Sequence, residues 1–135
     1  MELIDSSAWI EYLRDTNSRA CNEVDRLWHA DPRAVATTEP VVMELLAGAN
    51  NDRQFERVEK LMNGLHMLPV DASVDYRDAA IAYRAVRRGG KTVRKMMDCL
   101  IAAVAARTGA TLVHRDSDFD LLDAVLPDLR VRSLV

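Results

Sequence analysis

Hydrophobic positions in this chain fall into short clusters and into longer stretches with helical spacing. The short clusters predict five β-strands, at residues 2–5, 34–37, 66–70, 111–114 and 129–134. The longer stretches predict helices at residues 8–14, 17–30, 39–48, 51–64, 73–88 and 93–108, with a short seventh helix near Leu122. Because short strands alternate with helices, we expect an α/β fold with a short central parallel sheet flanked by helices.

Polar residues at the predicted helix starts indicate where capping occurs. We expect Ser6 or Ser7 to cap the helix at residues 8–14, and Ser73 to cap the helix at 73–88. The apolar residues of the latter helix share one predicted face, and they are Tyr76, Ala79, Ala80 and Tyr83. This face is expected to pack on the core.

The stretch at residues 93–108 is predicted to form one helix that is apolar almost throughout. Its core-facing residues recur at helical spacing, and they are Met97, Leu100, Ile101, Val104 and Ala105. Asp98 lies beside this stripe, because apolar residues follow it by three and four positions. A lone carboxylate there costs free energy unless a partner compensates it. Two ways of compensating the Asp98 charge stay open: an ion pair with Arg94 or Lys95, and a metal ion shared with other acids.

Three further acids are expected to meet Asp98 at one edge of the sheet. Asp5 and Asp116 each follow a predicted strand, and Glu44 lies about a turn and a half into the helix after the second strand. The carboxyl ends of parallel strands share one edge, where function gathers in such sheets. Crowded carboxylates raise one another's pKa, and a hard divalent cation such as Mg²⁺ relieves the repulsion. Such an ion can also activate water for attack on a phosphodiester.

Each acid also has an ordinary structural explanation. Asp5 is suited to cap the following helix, and Asp116 is suited to a turn. Glu44 could lie on a helix surface, although no Lys or Arg stands one turn away from it. A calcium loop starting at Asp116 does not fit, because Leu121 stands where that loop needs Gly. His114 has two open roles, contact with substrate and structural support.

Length and composition favour a single domain over residues 1–135. Hydrophobic residues make up 49% and charged residues 29% of the chain, as in ordinary globular proteins. No apolar run approaches a membrane span and the acidic N-terminus does not resemble a signal peptide, so we expect a cytoplasmic protein without membrane association. Cys21 and Cys99 lack zinc-site spacing and are expected to pack as reduced thiols.

The charge distribution bears on nucleic acid as a partner. The formal net charge is −3, which by itself argues weakly against a polyanionic ligand. However, no acid lies between Asp78 and Asp98, and that segment carries a basic patch. The basic patch consists of Arg84, Arg87, Arg88, Lys91, Arg94 and Lys95. We interpret it as a surface that binds a phosphate backbone, although basic residues at a helix end also occur without a ligand.

Four short motifs follow one another along the chain, LIDSS at residues 3–7, ELLAG at 44–48, DCLIAA at 98–103 and HRDSDF at 114–119. Together they resemble the motifs of PIN-domain ribonucleases, and in particular of the VapC toxins of bacterial type II toxin–antitoxin systems. The resemblance covers essentially the whole chain and implies a PIN-like fold. It also implies an endoribonuclease that depends on Mg²⁺ or Mn²⁺ and cleaves tRNA or other structured RNA. The implied partners are a cognate VapB-type antitoxin, which commonly places a basic side chain in the acidic pocket, and a second copy in a homodimer.

By motif, the resemblance assigns catalysis and metal binding to the same four acids, Asp5, Glu44, Asp98 and Asp116. It adds Asp118 as an accessory metal ligand, while the basic patch would position the RNA. Ser6 stands where Thr is common and His114 where Thr or Ser is frequent, and neither departure removes a ligand. The prediction is therefore a metal-dependent endoribonuclease toxin. Two alternatives stay open, a PIN nuclease that processes RNA outside toxin–antitoxin systems and a catalytically inactive module that binds peptide or RNA.

Overall fold

The computed structural model describes residues 1–135 and contains five strands and seven α-helices. The strands are β1 (Glu2–Ile4), β2 (Val35–Thr37), β3 (His66–Met67), β4 (Thr111–His114) and β5 (Arg130–Ser133). The helices are α1 (Ser6–Leu13), α2 (Arg19–Ala30), α3 (Glu39–Ala47), α4 (Asp52–Asn63), α5 (Asp75–Arg88), α6 (Met96–Thr108) and α7 (Asp118–Asp123). All neighbouring strands pair in parallel, in the order β3-β2-β1-β4-β5. The predicted fold class is confirmed, and no helix combines the length and apolar character needed to span a membrane.

The centre of the sheet is formed by β1 and β4. Leu3 pairs with Leu112 and Ile4 with Val113 in parallel register, and all four side chains are fully buried. Strands that are apolar on both faces are typical of a parallel sheet covered by helices on each side. Because β1 is central, the residue that follows it, Asp5, lies at the middle of the carboxyl edge.

The longest buried stretch of any helix is in α6. Residues 98–105 are all buried, so α6 has no solvent-facing side along that length. The helix ends at Thr108 and is followed by Gly109, whose φ of 76° is the left-handed conformation common at helix C-termini. It begins three residues later than predicted, because Lys95 is extended and the amide of Arg94 donates to Asp118. Most of the predicted core face is buried, with Met97 only half-buried.

Two predicted helix caps are wrong, because Asp5 caps α1 in place of a serine and no side chain caps α5. The N-cap of α1 is Asp5, whose carboxylate accepts a hydrogen bond of 2.9 Å from the amide of Ser7. Ser6 therefore lies inside the helix and not before it. Ser73 does not cap α5, which begins two residues later, because both its amide and its hydroxyl donate to Asp71.

The buried face of α5 also differs from the prediction. It consists of small residues and one valine, Ala79, Ala82 and Val86, preceded by the buried Asp75. Tyr76, which was predicted to face the core, is 59% exposed. The reason is that α5 packs mainly against α6, where small side chains let two helix backbones approach closely.

The bounds of β4 match the strand predicted at residues 111–114. The strand predicted at residues 66–70 is reduced to two residues, because Pro69 has no amide hydrogen to extend a ladder. Cys21 and Cys99 are buried free thiols in α2 and α6, as predicted.

A buried ion pair, absent from the sequence analysis, joins the start of α5 to the end of α6. Asp75 is fully buried, and its two carboxylate oxygens accept hydrogen bonds of 2.9 Å from Nε and Nη2 of Arg107. The amide of Asp71 donates to the same carboxylate at 2.7 Å, and Arg107 also donates to the carbonyl of Pro69 at 2.8 Å. These bonds satisfy the buried charge and tie the connection from β3 to α5 onto α6.

We predict that Asp75→Asn destabilises the protein by about 2–4 kcal/mol, because it leaves the Arg107 guanidinium without its buried counter-charge. Chemical denaturation monitored by circular dichroism measures this loss. Asp78→Asn, an exposed acid one turn further along α5, is the matched control and should change stability by less than about 0.5 kcal/mol. Equal losses for both variants would contradict a structural role for the pair.

Candidate active site

The four predicted acids lie at the carboxyl edge of the sheet, close enough for their charges to shift one another's pKa. Asp5 follows β1, Glu44 lies within α3, Asp98 is in the first turn of α6, and Asp116 follows β4. The pKa of Asp98 is raised to about 7, first by burial and then by the charges of Asp5, Asp116 and Glu44, against the opposing charge of Lys95. The predicted convergence of these acids is therefore seen in the structure.

Asp5 acts as a helix cap and as a pocket acid at the same time. Its Oδ2 accepts the amide of Ser7, whereas its Oδ1 is buried and has no hydrogen-bond partner. Burial raises the pKa of Asp5, opposed by hydrogen bonds from Ser7 and Ser6. The two explanations offered by the sequence, cap and site residue, are therefore compatible.

Asp98 has no ion pair with the basic residues that precede it in the chain. It is 2% exposed, and its Oδ2 is buried without a hydrogen-bond partner. Arg94 instead contacts Asp116 and Asp118, and Lys95 contacts Glu44. The alternative in which Asp98 is compensated by an ion pair with Arg94 or Lys95 does not hold in this structure. One carboxylate oxygen of Asp5 and one of Asp98 are thus buried without a hydrogen-bond partner, which suits a cation with oxygen ligands.

Asp98, Asp116 and Asp118 form the tightest group in the pocket. Each offers one carboxylate oxygen, and these oxygens all lie within 4.8 Å of one another, close enough to share one metal ion. Asp118 is 6% exposed and its amide donates to Oδ1 of Asp116 at 3.0 Å. This arrangement includes Asp118, the residue that the motif resemblance assigns as an accessory metal ligand.

Glu44 lies outside that triad but is not an ordinary surface residue. It is half-buried, and its Oε1 accepts a hydrogen bond of 3.2 Å from the hydroxyl of Ser6. Its Oε2 lies 4.0 Å from Nζ of Lys95. Burial raises the pKa of Glu44, and the charge of Asp5 adds to that effect.

The basic patch is divided by the structure into two parts. Arg94 and Lys95 contact the acids of the pocket. The other four residues are exposed, on the last turns of α5 and in the loop after it, and they are Arg84, Arg87, Arg88 and Lys91. None of these four is within ion-pair distance of an acid, and the Arg87 guanidinium lies 5.8 Å from the ring centroid of Tyr83.

His114 has a structural role beneath the pocket. Its ring is fully buried and lies 5.1 Å from the ring of Phe119. Its Nδ1 is 3.2 Å from the amide of Asp116, so Nδ1 accepts and Nε2 carries the proton toward Asp120, 3.4 Å away. Burial lowers the pKa of His114, which keeps the ring neutral and able to accept. The geometry therefore favours a structural role for His114 over contact with substrate.

Sequence reasoning did not identify the serine contacts of the pocket. Ser6 orients Glu44, and the hydroxyl of Ser7 accepts the amide of Arg115 at 2.9 Å. The Asp-Ser-Ser sequence was recognised only as capping chemistry, and nothing local indicated contacts with residues 38 and 108 positions away.

Residues 3–125 match the family model described as the PIN domain. This chain belongs to the PIN-domain family. It is 52% identical over 122 residues to ribonuclease VapC11 of Mycobacterium tuberculosis, which covers 90% of this chain and 91% of that protein. It is 32% identical over 107 residues to ribonuclease VapC6 of the same organism, covering 78% of this chain and 84% of VapC6. Within the PIN-domain family, the chain therefore belongs with the VapC ribonucleases.

Solved structures of the family share the fold. VapBC2 from Rickettsia felis, bound to a DNA fragment from its promoter, superposes with a TM-score of 0.70 at 17% identity and covers 98% of this chain and 97% of its counterpart. VapBC-5 from Mycobacterium tuberculosis, a toxin–antitoxin system, gives a TM-score of 0.66 at 24% identity with the same coverage. At this level of identity the comparisons establish the PIN-like architecture.

The raised pKa of Asp98 predicts the direction in which stability changes with pH in the metal-free protein. Between about pH 4 and pH 7, the folded chain holds a proton that the unfolded chain has released, so stability falls as pH rises through this window. Asp98→Asn cannot ionise. In EDTA, we expect its melting temperature to match that of the wild type only below about pH 4, and to exceed it increasingly as pH rises, by several degrees near pH 8.

The matched control for this experiment is Asp123→Asn, an exposed acid at the end of α7. It should follow the wild-type melting curve at every pH. A melting temperature of Asp98→Asn below that of the wild type at high pH in EDTA would contradict this prediction. It would mean that a basic side chain of the protein stabilises the ionised Asp98.

Proposed function

We propose that this chain is a metal-dependent endoribonuclease, the toxin of a toxin–antitoxin pair, which hydrolyses RNA phosphodiesters with Mg²⁺ or Mn²⁺. The observation that carries the proposal is the pair of buried, unpartnered oxygens, Oδ1 of Asp5 and Oδ2 of Asp98, in a pocket with three more acids. The 52% identity to a VapC ribonuclease supports the same class of reaction.

Charge balance in the pocket supports the dependence on a metal. Five carboxylates meet two basic side chains, Arg94 and Lys95, which leaves three excess negative charges when all are ionised. An RNA phosphate is also an anion, so its approach would add to this repulsion. A divalent cation removes the conflict, because it binds carboxylate and phosphate oxygens together.

Asp98, Asp116 and Asp118 would hold the ion, with Asp5 and Glu44 completing the site from the neighbouring strand end and helix. When bound, the ion supplies a Lewis acid that activates water and offsets the charge of the phosphate and of the departing oxygen. The donor set consists of oxygens alone, which fits Mg²⁺ or Mn²⁺ and not a metal that prefers sulfur or nitrogen.

Hydrogen bonds from α1 hold two of these acids in place. The amide of Ser7 holds one oxygen of Asp5 and the hydroxyl of Ser6 holds one oxygen of Glu44. The second oxygen of Asp5 has no hydrogen-bond partner, and the second oxygen of Glu44 lies 4.0 Å from Nζ of Lys95. The N-terminus of α1 thereby presents two acids in fixed orientations, a requirement for positioning water and phosphate.

We predict that Asp98→Asn abolishes RNA cleavage and growth inhibition, lowering the rate by at least about 100-fold, because it removes a charged ligand at the centre of the acid group. Cleavage of total cellular RNA by the purified protein, followed by sequencing of the new ends, measures the loss and identifies the substrate. EDTA should have the same effect on the wild type, and added Mg²⁺ or Mn²⁺ should reverse it.

Asp123→Asn is again the control, with activity equal to the wild type. Full activity of Asp98→Asn would refute the site assignment. A wild-type protein that cleaves no RNA at any concentration of Mg²⁺ or Mn²⁺ would instead favour the inactive binding module. Cleavage without growth inhibition would favour an RNA-processing PIN nuclease.

We propose that the exposed part of the basic patch binds the RNA backbone. We predict that Arg87→Glu/Arg88→Glu weakens RNA binding by about ten-fold or more and reduces the slope of log K against log salt by about 1–2, because phosphate contacts are lost. Binding is measured by fluorescence anisotropy in the Asp98→Asn background, which prevents cleavage.

The matched control is Arg19→Glu/Arg130→Glu, which changes the net charge equally at two exposed arginines on α2 and β5, outside the basic patch. If both double variants weaken RNA binding to the same extent, the loss of affinity comes from the change in net charge and not from the position of the arginines. Such a result would contradict a dedicated role for the basic patch.

The partners are proposed on the same basis. We propose a VapB-type antitoxin, because the fold matches toxins solved within VapBC complexes and because the acidic pocket suits a basic side chain from a partner. We also propose a homodimer, a tRNA or other structured RNA substrate and a cytoplasmic location, of which the first two are implied by the family resemblance. Light scattering of the purified protein, with and without the product of the neighbouring reading frame, tests both assemblies.

A further inference from the structure

Arg94 lies across the part of the pocket where the proposed metal ligands converge. Its Nη2 donates to Oδ1 of Asp116 at 2.8 Å, and its Nε donates to Oδ2 of Asp118 at 3.0 Å. Its side chain is 67% exposed, whereas those of Asp116 and Asp118 are 13% and 8% exposed. The guanidinium therefore covers the two acids from the solvent side.

The hydrogen-bonding capacity of the two covered oxygens is already used. Oδ1 of Asp116 accepts from Arg94 and from the amide of Asp118. Oδ2 of Asp118 accepts both Nε and the backbone amide of Arg94. A carboxylate oxygen offers about two acceptor sites, so neither oxygen has a lone pair left for a metal ion. By contrast, Oδ1 of Asp5 and Oδ2 of Asp98 are buried and free.

We propose that Arg94 is the resident counter-cation of the metal-free pocket, and that a divalent ion displaces its side chain from Asp116 and Asp118. The inference rests on the proposed metal-dependent function. The backbone of Arg94 stays anchored to Asp118 through its amide, so only the exposed side chain has to move. The Arg94 side chain is 67% exposed, so water can solvate its guanidinium once it leaves, whereas a divalent ion and a guanidinium within one group of carboxylates repel each other.

The first test measures Mn²⁺ binding by titration calorimetry in the full-length wild type and in Arg94→Gln. Because the variant has no guanidinium to displace, we expect its Mn²⁺ affinity to be about three- to ten-fold higher. Arg94→Lys keeps the charge but loses the two-point contact, and it should fall between the two. An unchanged or lower affinity in Arg94→Gln would overturn the inference.

The matched control is Arg115→Gln, which removes the same charge one residue before Asp116. Arg115 pairs with Glu11 and with none of the pocket acids, so Mn²⁺ affinity should stay within about two-fold of the wild type. If Arg115→Gln tightened Mn²⁺ binding as much as Arg94→Gln, the effect would come from the general field and the inference would fail.

The second test observes the side chain directly, by the arginine Nε–Hε resonances of ¹⁵N-labelled protein during a titration with diamagnetic Mg²⁺. The Arg94 resonance, assigned by its absence in Arg94→Gln, should move toward the position of a free arginine as Mg²⁺ binds. The Arg107 resonance should stay constant, because that side chain is held by Asp75. Saturation with Mg²⁺ without movement of the Arg94 resonance would overturn the inference and leave metal binding intact.

Failure of every variant to bind Mn²⁺ would refute the metal-dependent function itself.

Discussion

Repulsion among carboxylates at the carboxyl edge of the sheet is the constraint on which the rest of this structure depends. Three acids present ligand oxygens within 4.8 Å of one another, and the charges of Asp5 and Glu44 act on the same group. Without a metal ion, burial and then this crowding raise the pKa of Asp98 to about 7, against the opposing charge of Lys95. The folded chain tolerates the arrangement because the rest of the fold stabilises it and because basic side chains cover part of the charge.

Helix α6 makes that arrangement possible, because each of its ends serves a different part of the fold. Its buried stretch begins with Asp98, which is 2% exposed. The two residues before it, Arg94 and Lys95, form ion pairs with the acids. At its other end, Arg107 is tied to the buried Asp75 of α5. Displacement of either end would change the position of Asp98, so stability and site geometry depend on the same helix.

Much of the fold could be predicted, because its elements depend on local patterns. The apolar run of β4, the glycine after α6 and the alternation of strands with helices are visible in short windows of sequence. The errors were made where tertiary contacts decide. The start of α6 depends on the bond from Arg94 to Asp118, 24 positions away, and the buried face of α5 depends on the helix packed against it.

The sequence alone determined the fold class, the motif order of the family and the acids that would meet at one sheet edge, because parallel topology places the ends of neighbouring strands together. Only the tertiary structure decided how those charges are compensated. It assigned Arg94 to Asp116 and Asp118 and Lys95 to Glu44, and it left oxygens of Asp5 and Asp98 without partners. The physical reason is that ion pairs form through space between groups distant in the chain, and no local pattern of residues specifies which oxygen each cation reaches.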